Sequence, residues 1–150
     1  MSLHLRPARP EEAGALTELA VASKAHWGYS PEFLAGCREV LRVEPRRIRT
    51  EPHTVAEMGG RVVGFYSLLL GEKAVLDKLY VSPEAIGQGV GRALWTHLLA
   101  EVERAGYREL TWDADPHAEA FYRAMGAQKI GEAVSEVDPQ RKLPLMRYGF

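Results

Sequence analysis

Between His53 and Val81 the chain falls into three apolar, β-branched and aromatic runs, His53 to Met58, Arg61 to Leu70 and Ala74 to Val81, punctuated by Gly59-Gly60 and Gly71-Glu72. Runs of that length joined by glycine turns predict three consecutive antiparallel strands, because glycine tolerates the positive φ of a tight hairpin. Ahead of them, Leu3 to Arg6 alternates as a short strand. Pro10-Glu11-Glu12 then opens a helix whose apolar side carries Ala13, Leu16, Leu19, Ala20 and Ser23. Ser30-Pro31-Glu32 starts a second helix, predicted to run to about Val43 and to be ended by Pro45. From Gly89 to Ala105, Val90, Leu94, Leu98 and Val102 recur at helical spacing with Trp95 and Leu99 beside them, and Gly106 closes the helix. A strand over Glu109 to Asp113, a short helix over Pro116 to Met125 stopped by Gly126, and strands near Gln128 to Val134 and Leu143 to Tyr148 complete the order β-α-α-β-β-β-α-β-α-β-β.

Composition narrows the function classes. A chain of 150 residues, 46% hydrophobic and 26% charged, is expected to fold as one globular domain over residues 1–150, with neither internal repeat nor linker to divide it. Nineteen basic and twenty acidic side chains give a net charge of −1, which argues against a nucleic-acid or anionic-membrane partner. The densest basic stretch, Arg42 to Arg49, is bordered by Glu39 and interrupted by Glu44, and reads as a solvated face. A single cysteine, Cys37, permits no intramolecular disulfide and no cysteine metal cluster; beside Phe33, Leu34 and Leu41 it marks a buried helical face. Met1 to Glu12 carries no apolar signal region, and Val62 to Leu70 is far shorter than the ~20 residues that span a bilayer, so the expectation is a soluble cytoplasmic protein.

The chemistry concentrates in Leu76-Asp77-Lys78-Leu79-Tyr80-Val81-Ser82-Pro83-Glu84-Ala85-Ile86-Gly87-Gln88-Gly89-Val90-Gly91-Arg92, a strand leading through a glycine-rich turn into the long helix. Alternating glycines let successive N–H groups face one anion, and the helix start adds partial positive charge, so a pyrophosphate suits the turn. The same pattern on its own equally describes a tight connection with close helix packing. A Walker loop would need Gly-Lys-Ser/Thr, which is absent. A Rossmann turn would need a small residue where Arg92 stands and a glycine closing the strand, whereas five residues separate Val81 from Gly87.

The strand, Val81-Ser82-Pro83-Glu84 and the run Ile86 to Leu94 together resemble the acetyl-CoA pyrophosphate motif of the GNAT acyltransferases. That motif usually begins with Arg or Gln where Ile86 stands, a departure that removes one side chain and leaves the backbone cradle. Downstream, Asp115-Pro116-His117-Ala118-Glu119-Ala120-Phe121-Tyr122-Arg123-Ala124-Met125-Gly126-Ala127 resembles the family's Asn-x-x-Ala-x-x-Phe-Tyr-x-x-x-Gly-Phe/Ala segment, with Asp115 replacing Asn yet still able to cap the helix. The resemblance implies a mixed, mostly antiparallel sheet of six to seven strands flanked by about four helices. It implies acetyl-CoA as cosubstrate, no metal, and transfer to a primary amine in a ternary complex. Cofactor contacts are then expected from Leu79, Tyr80 and Val81, from the turn Ile86, Gly87, Gln88, Gly89, Val90, Gly91 and Arg92, and from Asp115, His117, Ala118, Phe121 and Tyr122. Pantetheine would lie between splayed fourth and fifth strands.

For catalysis the resemblance points to Tyr122 as the acid that protonates the departing thiolate, since a phenol with a reference pKa near 10 stays protonated at neutral pH. Asp77 is the candidate base. Period-two alternation puts it on the face of Val75, Leu79 and Val81, although an aspartate paired with Lys78 is the competing reading. His26, Trp27 and Tyr29 form the expected acceptor loop, and the ending Ser135 to Met146 resembles a subset of bacterial GNAT proteins that also carry the Trp-Gly-Tyr loop. The acceptor would be a small-molecule or peptide amine, and a homodimer is compatible with the sequence. A CoA-binding sensor without turnover, and a nucleotide-binding or interaction domain, stand as the other classes.

Overall fold

The computed structural model describes residues 2–150. Its elements are β1 (Leu3–Pro7), α1 (Ala13–Ala25), α2 (Pro31–Leu41), α3 (Pro45–Thr50), β2 (His53–Met58), β3 (Arg61–Leu70), β4 (Ala74–Val81), α4 (Val90–Arg104), β5 (Glu109–Asp113), α5 (Glu119–Ala124), β6 (Gln128–Val134) and β7 (Lys142–Gly149). The strands form one sheet in the order β1-β2-β3-β4-β5-β7-β6. Every neighbouring pair is antiparallel except β4 and β5. No helix among the described residues is long and apolar enough to cross a membrane.

The helix count exceeds the sequence expectation by α3. Pro45 was expected to end the second helix, but α2 already stops at Leu41, and the N–H of Val43 is taken by the Thr17 hydroxyl of α1 at 2.9 Å. Pro45 instead occupies the first turn of α3, where its missing N–H costs nothing. Ile48 anchors α3 in the core while Arg46, Arg47 and Arg49 stay exposed, so the basic stretch is indeed a solvated face. The expected helix over Pro116 to Met125 divides into a 3₁₀ turn at Pro116–Ala118 and α5.

The sheet separates two cores. On one side α4 buries Val90, Leu94, Trp95, Leu98 and Val102 against Tyr66, Leu68 and Leu110. On the other, Leu16 and Ala20 of α1, Cys37 and Leu41 of α2 and Ile48 of α3 cover Val55 and Phe65. Close approach of α4 depends on Gly64 of β3: a Cβ there would lie 3.0 Å from Leu94 Cδ1, Val90 Cγ1 and the Tyr80 carbonyl.

Candidate active site

The cleft begins where the sheet opens. β4 and β5 pair only at Ala74↔Leu110 and Val75↔Thr111, after which they diverge. Between them lies a cavity of about 410 Å³, walled by Leu79, Tyr80 and Val81 on one side and by Trp112 to Asp115 on the other. The glycine turn closes one end, and Ser23, Lys24 and Trp27 of α1 and its following loop close the other. In an antiparallel ladder only alternate residues of a strand bond to a given neighbour, so the remaining β4 backbone groups face the gap.

At the turn, Pro83–Ala85 forms a short 3₁₀ segment, and Gly87 and Gly89 take φ of +84° and +83°. These left-handed conformations suit glycine and swing the chain into α4, whose first N–H groups, on Val90, Gly91 and Arg92, have no intrahelical acceptor. Gly91 lets α4 approach α5, since a Cβ there would sit 3.4 Å from the Phe121 ring. Gln88 turns its amide to the Glu84 carbonyl at 3.2 Å and shapes the loop; Ile86 is exposed at the rim. The turn therefore presents backbone donors to an anion of diphosphate type.

Tyr122 is only 6% exposed and lines the cleft. Its ring is fixed among Trp95, Trp112 and Phe121, with centroids 5.6, 5.0 and 5.4 Å away. Burial, and then the negative charge of Asp115, raise its pKa above the usual phenol value, so the hydroxyl holds its proton.

Asp77 departs from the alternation expected of it. Ser67 of β3 pairs with Lys78 and Leu68 with Leu76, leaving Asp77 as the extra residue of a β-bulge. Parity changes there: Leu76 before the bulge and Leu79 and Val81 after it all pack into the α4-side core. Asp77 does not share their face. Its carboxylate receives Lys78 Nζ at 2.9 Å and the Ser67 hydroxyl at 3.4 Å, on the side of the sheet that α1 covers. Both Asp77 and Lys78 still line the cleft.

The richest polar cluster centres on Asp115. Lys24 Nζ reaches it at 2.9 Å and Arg141 at 3.5 Å, the Tyr29 hydroxyl lies 3.0 Å from both oxygens, and the His117 backbone N–H donates at 2.8 Å. Arg141 also donates to the Tyr29 hydroxyl. Burial opposes ionisation of Asp115, but the Lys24 ion pair, the His117 N–H and the Tyr29 hydroxyl outweigh it and hold its pKa down at about 2. Trp27 stacks on His117 with centroids 5.0 Å apart and planes 8° from parallel.

The family model described as an acetyltransferase (GNAT) domain matches residues 36–138, more than half the chain. The chain belongs to the GNAT acetyltransferase family. A GCN5-related N-acetyltransferase structure from Rhodopseudomonas palustris is similar over 100% of this chain and 97% of its own, with TM-score 0.85 and 26% identity. The PaiA N-acetyltransferase of Thermoplasma acidophilum in complex with coenzyme A shares the fold at TM-score 0.75 and 19% identity, each chain covered in full (100%). A phosphinothricin N-acetyltransferase of Alcaligenes faecalis is 37% identical over 65 residues, a match spanning 39% of this chain and 33% of that relative.

In this GNAT acetyltransferase the cleft gathers the sequence-derived candidates Leu79, Tyr80, Val81, Ile86, Gly87, Gly89, Val90, Gly91, Arg92, Asp115, His117, Ala118, Phe121 and Tyr122 with Asp77 and Trp27. Gln88, His26 and Tyr29 stand outside its wall; His26 meets Trp27 edge-on at 5.2 Å, and Tyr29 reaches the site through Asp115. Lys24 and Arg141 escape sequence reasoning. Each is an ordinary surface-type residue until the fold brings α1 and the β6–β7 loop to one carboxylate.

Proposed function

We propose that this acetyltransferase binds acetyl-CoA in the β4–β5 cleft and transfers the acetyl group by direct attack of an acceptor's primary amine in a ternary complex. The observation that carries this reading is a gap between diverging strands that ends at the glycine turn and that Tyr122 lines. The N–H groups of Gly87 to Arg92 are suited to the pyrophosphate, and the open edge of β4 at Leu79 and Val81 to the amide groups of pantetheine. A β4 N–H facing the gap would stabilise the oxyanion that develops as the amine adds to the thioester carbon. Collapse breaks the C–S bond, and Tyr122 protonates the thiolate.

Asp77 and Lys78 line the cleft as an ion pair, which would present a fixed dipole to the incoming amine. The acceptor is a small-molecule or peptide amine. Structural neighbours bear names as different as ribosomal-protein-S18-alanine N-acetyltransferase, from Escherichia coli. The test is thiol release from acetyl-CoA with a panel of an amino acid amide, a polyamine and an N-terminal alanyl peptide. Amine-dependent release supports transfer. Acetyl-CoA binding without release by any amine would instead mark a sensor domain.

A further inference from the structure

Resting on the acetyl-transfer reading, we propose that His117 is the general base that takes the ammonium proton from the acceptor, with Asp115 as the positioning residue that fixes its tautomer. His117 Nδ1 lies 3.0 Å from Asp115 Oδ1, the same oxygen that accepts the His117 backbone N–H at 2.8 Å. The Tyr29 hydroxyl also lies 3.0 Å from Nδ1, but it accepts from Arg141 and its one proton is directed to the Asp115 carboxylate at 3.0 Å. An ionised carboxylate only accepts, so with the Tyr29 proton given to Asp115 the Nδ1 atom carries the hydrogen and Nε2 keeps its lone pair. The ring is held flat against Trp27 at 5.0 Å and edge-on to Tyr29 at 5.3 Å, an orientation set from the α1–α2 loop rather than by its own short turn. This is the arrangement a base requires: a neutral imidazole with one nitrogen tied to a carboxylate and the other free.

Its position suits the role. His117 lines the cleft at the end closed by Lys24 and Trp27, and Tyr122 lines the same cleft. The base and the acid therefore flank one cavity, within reach of a bound amine directly or through one water. Asp77 is less suited, because taking a proton would break the ion pair with Lys78 that it already makes. His117 has no competing side-chain partner at Nε2 among the described residues, and its side chain is 43% exposed, which gives the acquired proton a path to solvent.

The charged and titratable groups around the ring are Asp115 on its own turn, Lys24 and His26 at the end of α1, Tyr29 on the following loop and Arg141 between β6 and β7. The proton count closes. The ammonium gives one proton to His117 Nε2 and thence to solvent; the amine forms the C–N bond. When the C–S bond breaks, the thiolate takes the Tyr122 proton, and the nitrogen's second proton restores Tyr122 through water. The net products are the amide, free CoA thiol and one proton.

The experiment measures kcat/KM from pH 6 to 10 for the parent, His117→Gln, Asp115→Asn and Asp77→Asn. Phenylalanine amide, spermidine and an alanyl peptide serve as acceptors, with methoxyamine as an amine already neutral at pH 7. His117→Gln is expected to lose ~10²-fold or more at pH 7 with the basic amines. That loss shrinks toward pH 10 and is small with methoxyamine. Asp115→Asn follows the same pH dependence with a smaller loss. A His117→Gln profile that superposes on the parent, or a loss equal at every pH and with methoxyamine, overturns the assignment, as does a pH-dependent loss confined to Asp77→Asn. A parent that releases no thiol with any amine overturns the transfer reading along with it.

Discussion

Tyr122 lines the cleft with a ring packed among Trp95, Trp112 and Phe121, and a single substitution separates the packing from the proposed proton donor. Tyr122→Phe keeps the packing and removes only the proton donor. Turnover is expected to fall by ~10²–10⁴-fold with acetyl-CoA affinity unchanged. Single-turnover kinetics within about threefold of the parent would show that water protonates the thiolate instead. Asp115 gives a pH signature of stability. Its pKa drops from 3.8 to about 2 on folding, so its contribution is complete above about pH 5 and is lost as pH falls toward 2. Urea unfolding of the parent and Asp115→Asn should differ by about 2 kcal/mol at pH 7, and the gap should close near pH 2. Sequence showed Tyr122 and Asp115 through their motif but placed Asp77 on the wrong face, because a bulge inserts one residue without leaving a mark in the hydrophobic pattern. Asp115 and His117 stand two residues apart in the chain, yet the packing of the His117 ring on Trp27 and Tyr29 joins segments about 90 residues apart and left no local mark.

Among the elements, the glycine turn is the one whose geometry the sequence specified most closely. Gly87 and Gly89 adopt φ of +84° and +83°, which glycine alone takes readily, and the strands β2, β3, β4, β5 and β6 begin and end at the expected residues. Glycine and proline punctuation sets such boundaries locally. Pro45 shows where punctuation misleads: the same residue that stops one helix is favoured in the first turn of the next, and six residues holding one buried Ile48 carry too little periodicity to reveal α3. The splay of β4 from β5 came from family resemblance, since strand order and divergence depend on contacts far apart in sequence. Gly89 tests the turn directly. No neighbour within 4 Å would block a Cβ, but φ of +83° strains a β-branched residue. Gly89→Val is therefore expected to stay folded and lose at least tenfold in acetyl-CoA affinity by titration calorimetry, as the N–H groups of the turn rotate out of line. Unchanged affinity would place the pyrophosphate elsewhere.

Over the whole molecule, the sheet is pinned across its middle by only two residue pairs, Ala74↔Leu110 and Val75↔Thr111. On one side stand β1 to β4 and on the other β5, β7 and β6, with α4 packed over the junction. A ligand seated in the gap would touch both halves and bind the folded state alone, so it must stabilise the fold by mass action. At one hundred times its dissociation constant acetyl-CoA would add about 2.7 kcal/mol. For a chain of this length each kcal/mol shifts Tm by about 2–4 °C, which predicts a rise of roughly 5–10 °C. The location is as diagnostic as the size. Amides of Leu79 to Val81 and of Gly87 to Arg92 should gain protection from hydrogen exchange, while those of β1 and of the β6–β7 loop change little. A Tm unaffected by millimolar acetyl-CoA would remove the cofactor assignment. A rise in Tm with protection confined to other segments would keep the ligand and move its site out of the β4–β5 cleft.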